Sequence, residues 1–83
     1  MPTVLRIRGF RFFFFSNEGR ERPHVHVRKG EAYAKVWLDT ARIVDERNLS
    51  PSQSAAIRAI VEQHRSGILR AWHEHFGGPG TSA

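Results

Sequence analysis

The stretch HVHVRKGEAYAKVWL, residues 24–38, decides the fold of this chain. Apolar and polar side chains alternate on both sides of Gly30, which is the pattern of two strands that each bury one face. Glycine supplies the positive φ that tight hairpin turns need, so residues 29–31 are predicted to form the turn. We therefore expect an antiparallel hairpin whose strands run from His24 to Arg28 and from Ala32 to Leu38.

The residues before this hairpin predict two more strands. The segment from Thr3 to Arg8 alternates, and Gly9 separates it from a segment that runs from Phe10 to Ser16 and is apolar on both faces. A strand of that kind is central in its sheet or covered on both sides. We expect the phenylalanine row to pack in the core, because an exposed row of this length would aggregate. The alternative is that these rings stack on bases. Residues 16–19 are predicted to form a turn.

A single amphipathic helix is predicted after the strands. Ser50 is a good N-cap, and Pro51 suits the first helical position, where a missing N–H costs nothing. Apolar residues then recur at intervals of three and four, which forms one stripe along the helix. The stripe consists of Ile57, Ile60, Val61, His64, Ile68, Trp72 and Phe76. Gly67 predicts a kink or break near residues 66–67, and Gly77 predicts a C-terminal cap.

The predicted fold class is α+β. It is an antiparallel sheet of four to five short strands followed by one long amphipathic C-terminal helix, which lies across one face of the sheet. Residues 42–44 are the candidate fifth strand, at the sheet edge, and residues 45–49 are predicted to be a loop. A single domain is expected over residues 1–77. Residues 78–83 are rich in Gly, Pro, Ser and Thr and are predicted to be a disordered tail.

Composition narrows the classes of function. The chain has 83 residues, no cysteine and a net charge of +5. The missing cysteines exclude disulfides and thiolate metal sites. We expect a cytoplasmic protein without a membrane span or signal peptide, because no apolar run has the necessary length. Residues 1–35 hold eight Lys and Arg against three acids, which accounts for the whole excess charge. This asymmetry indicates RNA or an acidic protein as partner, and general solubility is the alternative.

Two histidines of the first hairpin strand are the main candidate site. His24 and His26 lie two residues apart, so in a strand both imidazoles point to one face. Imidazoles titrate near neutral pH, which suits them to anion binding and to acid–base catalysis. Cleavage of RNA by its own 2′-hydroxyl would need little beyond such a pair and positive charge around the phosphate. The remaining interpretation is structural, with rings that are hydrogen-bonded to the backbone.

The same pair could also bind a metal ion. Neutral imidazoles are common zinc ligands, but a site needs one or two more groups. His64, Glu18, Glu21 or a partner chain are the candidates for these ligands. His64 lies on the apolar stripe of the helix, where a histidine is more often a core or boundary residue than a ligand or catalyst.

Seven cations of the basic half are candidate anion-binding residues. Arginine and lysine contacts with phosphate position a nucleic acid without reading its sequence. The set is Arg6, Arg8, Arg11, Arg20, Arg22, Arg28 and Lys29. Within this set, Arg6 and Arg8 are predicted to lie on the same face of a strand. Arg20 and Arg22 directly precede the histidine motif in the sequence. A solvated surface without a ligand is the alternative for all of them.

The segment Pro23-His24-Val25-His26 resembles the bacterial family called domain of unknown function 4160. The turn over residues 17–19 and the helical segment over residues 64–72 carry the same resemblance, which covers about residues 1–77. Val25 stands where the family has an aromatic residue, and Val27 where it has a small one. The resemblance implies His24, His26, His64 and Trp72 as candidate site residues. It also implies a toxin–antitoxin component, because such genes lie in small paired operons.

Three hypotheses of function follow. In the leading one the chain is a toxin–antitoxin-type module that binds RNA or another polyanion through its basic face and histidine pair, with ribonuclease-like cleavage as an extension. It requires no cofactor. In the second, the chain is not an enzyme and docks an acidic, antitoxin-like partner protein. In the third, His24 and His26 bind a metal. A second copy of the chain is a further candidate partner, through Trp72 and Phe76.

Overall fold

A computed structural model describes residues 3–15 and 20–77. Five strands precede one helix, and the strands form one antiparallel sheet in chain order. The elements are β1 (Thr3–Ile7), β2 (Phe10–Phe13), β3 (His24–Lys29), β4 (Ala32–Trp37), β5 (Ile43–Arg47) and α1 (Pro51–Phe76). The predicted α+β fold is confirmed, with all five strands present. The predicted turn over residues 16–19 and the predicted tail over residues 78–83 lie outside the described residues.

The inner face of the sheet, which packs against α1, holds the hydrophobic core. The sheet side of this core consists of Phe10, Phe12, Phe14, Val25, Val27, Ala34, Val36 and Leu38. The helix side consists of Ile57, Ile60, Val61, Ile68 and Trp72. These residues confirm the apolar stripe of the helix and the core role of the phenylalanine row. Phe13 is buried as well, so these rings are not available for stacking on bases.

β5 corrects the prediction of a loop at residues 45–47, whereas residues 48–49 lie outside the strand, as predicted. The strand runs Ile43–Arg47 along the edge of β4. The described register pairs Asp45 with Lys35, Glu46 with Ala34 and Arg47 with Tyr33. Acidic residues have low strand propensity, but such propensity depends strongly on context, and pairing with a neighbouring strand outweighs it here.

The first hairpin corrects the prediction that Arg8 lies in a strand. Ile7 pairs with Phe10, which leaves Arg8 and Gly9 as a two-residue loop. Both loop residues have positive φ, 55° and 82°, as a type I′ turn requires. Arg8 therefore does not share a strand face with Arg6. β2 likewise ends at Phe13, because Phe14 and Phe15, which were predicted to continue it, are not in strand conformation.

The helix begins and ends as predicted. Ser50 is the N-cap, and its hydroxyl accepts a hydrogen bond from the Gln53 amide while the Gln53 side chain accepts one from the Ser50 amide. This is a capping box. Gly77 provides the C-terminal cap, with φ 74°. The kink lies at His64 (φ −107°, ψ 15°), two to three residues before the predicted position at residues 66–67. No helix in the described ranges is long and apolar enough to cross a bilayer.

The capping box gives a direct test of how α1 begins. Substitution of Ser50 by alanine removes the acceptor for the Gln53 amide and is expected to lower the free energy of unfolding by about 1 kcal/mol. Urea denaturation followed by circular dichroism measures this loss. Ser66→Ala is the matched control, because Ser66 is exposed in the helix interior, where alanine is the better helix former. Equal stability of the two variants would contradict the capping role.

Candidate functional site

The outer face of the sheet, opposite the face that packs against α1, carries a row of arginines. In an antiparallel sheet, residues that are directly paired project to the same face. The register pairs Arg6 with Arg11, Arg11 with Arg28, Arg28 with Tyr33, and Tyr33 with Arg47. These five residues cross all five strands. We call Arg6, Arg11, Arg28 and Arg47 the arginine row.

The arginine row concentrates positive charge. Adjacent strands lie about 4.8 Å apart, so the row extends over about 19 Å. Arg6, Arg28 and Arg47 are exposed and Arg11 is half-buried. None of the four forms an ion pair with an acidic residue in the part of the chain that the structure describes. Like charges directly opposite one another destabilise a sheet, so this arrangement has an electrostatic cost that an anionic ligand would remove.

Aromatic rings lie beneath the cations of the outer face. The guanidinium carbons of Arg28 and Arg47 lie 5.5 and 5.7 Å from the centre of the Tyr33 ring. Arg11 lies 4.7 Å from the centre of the Phe13 ring. Cation–π attraction acts at these distances. This attraction restricts the positions of the guanidinium groups in the free protein. The arginine side chains therefore lose less conformational entropy when a ligand binds.

The His24 and His26 side chains lie on this face, as the alternation predicted. Pairing of His24 with Trp37 and of His26 with Phe13 and Lys35 places them beside the arginine row. Their ring centres are 5.0 Å apart. Both side chains are buried, with exposures of 0% and 3%. A general acid or base must come within hydrogen-bond reach of the proton that it moves, so this burial favours a structural role.

Hydrogen bonds hold both imidazoles. The His24 Nδ1 lies 2.8 Å from the Arg22 carbonyl oxygen, and because a carbonyl only accepts, this nitrogen carries the hydrogen and donates it. The His26 Nδ1 lies 2.8 Å from the Tyr33 hydroxyl. His26 therefore connects the histidine pair to the one aromatic residue that lies within the line of arginines.

Rings pack closely around the pair. The His26 ring contacts the Phe15 ring edge-on, with 4.4 Å between centres, and stacks on Phe13 at 5.6 Å. The His24 ring lies 5.2 Å from Trp72 and 5.8 Å from Trp37. Trp72, one of the candidates that the family resemblance implied, thus joins the helix to the histidine pair.

His64 lies away from this cluster. It lines a cavity of about 150 Å³ together with Val4, Leu5, Gly67 and Ile68. Eight residues separate His64 from Trp72, which is about 12 Å along the helix axis. Its side chain therefore lies beside β1, whereas Trp72 lies beside His24.

A metal centre on the histidine pair stays a prediction. Within residues 3–15 and 20–77, no group of three or more His, Asp or Glu side chains is placed to hold an ion. Glu21, a predicted ligand, accepts a hydrogen bond from the Lys35 ammonium at 3.4 Å. Glu18, the other predicted acidic ligand, lies outside the described residues.

The predicted cations divide into several groups. Arg6, Arg11 and Arg28 belong to the arginine row. Arg22 forms a bidentate pair with Asp39, in which Nη2 donates to Oδ1 at 2.7 Å and Nε donates to Oδ2 at 3.1 Å. Its guanidinium carbon lies 4.6 Å from the centre of the Trp37 ring. Arg8 lies in the first turn. Lys29 lies over the Phe10 ring of the inner face. Arg20 is exposed.

Two members of the outer face were missed from the sequence. Arg47 lies in the stretch that is predicted to be a loop, and the alternating pattern gives Tyr33 no role beyond a position in the second strand of the hairpin. The available signal was the spacing of Asp45 and Arg47, which in a strand share one face. Charged residues at this spacing are also common in loops, so the signal could not distinguish a strand from a loop.

A family model described as Domain of unknown function (DUF4160) matches residues 9–73. The chain belongs to this family. The match begins in the first turn and includes the histidine pair, three of the four arginines in the row, and Trp72. Comparison with curated proteins and with solved structures finds no match. The DUF4160 description names no activity, so the function has to be argued from the outer face itself.

The packing of His24 predicts a stability effect. His24→Ala removes the donor to the Arg22 carbonyl and the ring that contacts Trp72. We expect the free energy of unfolding to fall by about 0.5–1.5 kcal/mol from the lost hydrogen bond alone, as measured by urea denaturation. His24→Asn should lose less, because an amide nitrogen can donate in place of Nδ1. An unchanged midpoint for His24→Ala would argue against the structural role.

The pair formed by Arg22 and Asp39 predicts a pH effect. Hydrogen bonds from Arg22 lower the pKa of the Asp39 carboxyl from its ordinary value. Because this pKa is lower in the folded than in the unfolded protein, the ionised carboxylate stabilises the fold. Its contribution to the free energy of unfolding is fully present above the unfolded-state pKa and is lost as pH falls through the folded-state pKa. Arg22→Gln should therefore raise the Asp39 pKa towards its ordinary value, as followed by carbon NMR of the carboxyl. An unmoved pKa would contradict the pairing in solution.

Proposed function

We propose that this DUF4160 protein binds RNA through the outer face of its sheet, with the arginine row in contact with the phosphates. The observation that carries the proposal is the cross-strand pairing of Arg6, Arg11 and Arg28, continued through Tyr33 to Arg47. A span of about 19 Å is enough for several nucleotides of an extended strand. The proposal concerns binding, and cleavage of RNA stays a prediction.

The energetics of the row support this choice of ligand. Phosphates neutralise cations along a line, and the displaced counterions supply a large part of the binding free energy. Arginine is well suited to phosphate because its planar fork forms paired hydrogen bonds. No arginine of the row forms an ion pair with a carboxylate of the described residues. A ligand with regularly spaced negative charge therefore relieves the repulsion that the sheet register imposes.

The histidine pair supports the row from below. His26 is buried, stacks against the Tyr33 ring at 5.9 Å and lies within hydrogen-bond distance of its hydroxyl. Tyr33 in turn contacts Arg28 and Arg47. In this proposal the imidazoles hold the aromatic layer in place, and the arginines meet the RNA.

The salt dependence of RNA binding tests the proposal. For single-stranded nucleic acid, the slope of log K against log salt is about −0.7 for each phosphate contact. The double variant Arg28→Gln/Arg47→Gln should lower the magnitude of this slope by about 1.4 and weaken binding. Fluorescence anisotropy of a labelled oligonucleotide, in a series of salt concentrations, measures both quantities.

The matched control carries the same charge change on α1. Arg58 and Arg70 are exposed helix residues, so Arg58→Gln/Arg70→Gln should leave the slope unchanged. An equal loss in both double variants would mean that only net charge matters and would contradict a specific role for the row. Absence of RNA binding at low salt, with polyglutamate bound through the row instead, would replace the proposal by the acidic-partner hypothesis.

The predicted toxin–antitoxin role is tested separately, in cells. If the chain is a toxin that acts on RNA, its expression should slow growth, and the arginine-row double variant should remove the effect while the helix double variant retains it. Growth arrest that survives loss of the row would separate toxicity from this face.

A further inference from the structure

The Tyr33 ring holds two guanidinium groups over an aromatic surface. Arg28 and Arg47 approach it from the neighbouring strands, with 5.5 and 5.7 Å from each guanidinium carbon to the ring centre. A guanidinium is planar, and it stacks on aromatic rings as well as donating hydrogen bonds. Both arginines are exposed, so each also presents surface to a ligand.

The support beneath Tyr33 is fixed. The Tyr33 and His26 rings lie nearly parallel, with an interplanar angle of 25° and 5.9 Å between centres. The His26 Nδ1 and the Tyr33 hydroxyl lie 2.8 Å apart. His26 itself packs against Phe13 and Phe15. The two arginines therefore lie on a packed aromatic layer and not on a mobile surface side chain.

Such a layer suits unpaired bases better than a duplex. In a double helix the bases are stacked on one another, and a protein meets mainly the backbone and the grooves. In a single strand the bases can turn outwards and stack on aromatic rings or on guanidinium planes. A duplex would use Arg28 and Arg47 only for contacts with phosphate, where lysine keeps the charge and loses the paired hydrogen bonds.

We infer that the RNA bound by this face is single-stranded and that its bases stack on the guanidinium groups of Arg28 and Arg47 above Tyr33. The inference rests on the proposed function, since it names the class of RNA that the arginine row takes. Phosphates contact the row as a whole, and these two arginines add base stacking. The expected ligand preference depends little on sequence, because every base has a stacking face.

Replacement of arginine by lysine separates stacking from charge. The double variant Arg28→Lys/Arg47→Lys keeps both charges and loses both planar groups. Its affinity for an oligoadenylate of about a dozen nucleotides should fall about tenfold, with the salt slope unchanged. Its affinity for an RNA duplex of equal length should fall by a smaller factor, because the duplex loses only the paired hydrogen bonds to phosphate. The wild-type protein should bind the single strand about tenfold more tightly than the duplex at one salt concentration.

Arg58→Lys/Arg70→Lys is the control, because it makes the same exchange on the exposed side of α1. Circular dichroism checks that each variant is folded. Equal affinity of the wild-type protein for single strand and duplex would overturn the inference, as would full single-strand affinity in Arg28→Lys/Arg47→Lys. Either result leaves phosphate binding by the row intact. Failure of the wild-type protein to bind any RNA would instead overturn the proposed function.

Discussion

The register between the strands is the constraint on which both faces of this sheet depend. β3 and β4 pair from His24 and Trp37 to Lys29 and Ala32 without interruption. Because side chains alternate with a period of two, this register sends the valines of β3 towards α1 and both of its histidines to the outer face. A slip of one residue would exchange the faces and expose the core. The same alternation aligns the arginines of several strands.

The two faces are stabilised by different interactions. The inner face is apolar and is covered by the helix stripe, which provides ordinary hydrophobic burial. The outer face buries His24 and His26 among rings from the sheet, with Trp72 as the contact from the helix. Cations lie over Phe13, Tyr33 and Trp37 on that face. This arrangement combines a buried aromatic layer with an outer layer of charge.

The two layers differ in how strongly the fold requires them. The buried layer is held by packing and by hydrogen bonds of both imidazoles, so changes there act on stability. The arginine row contributes repulsion to the folded state and forms no ion pair with an acidic side chain of the described residues. Residues that lower the stability of the fold are candidates for ligand binding. For this reason the proposed ligand is placed on the arginines, with the histidines as their support.

Local patterns in the sequence determined the hairpin around Gly30, the capped start of α1 at Ser50 and the apolar stripe of the helix from Ile57 to Phe76. The i, i+2 spacing also determined that His24 and His26 share a face. Each of these depends on residues that are close together in the chain. The arginine row depends on pairing between strands. Arg47 belongs to it only because pairing with β4 continues β5 to residue 47, past the predicted edge strand of residues 42–44. Only the tertiary structure could decide that alignment, because register is set by contacts between residues that are far apart in sequence.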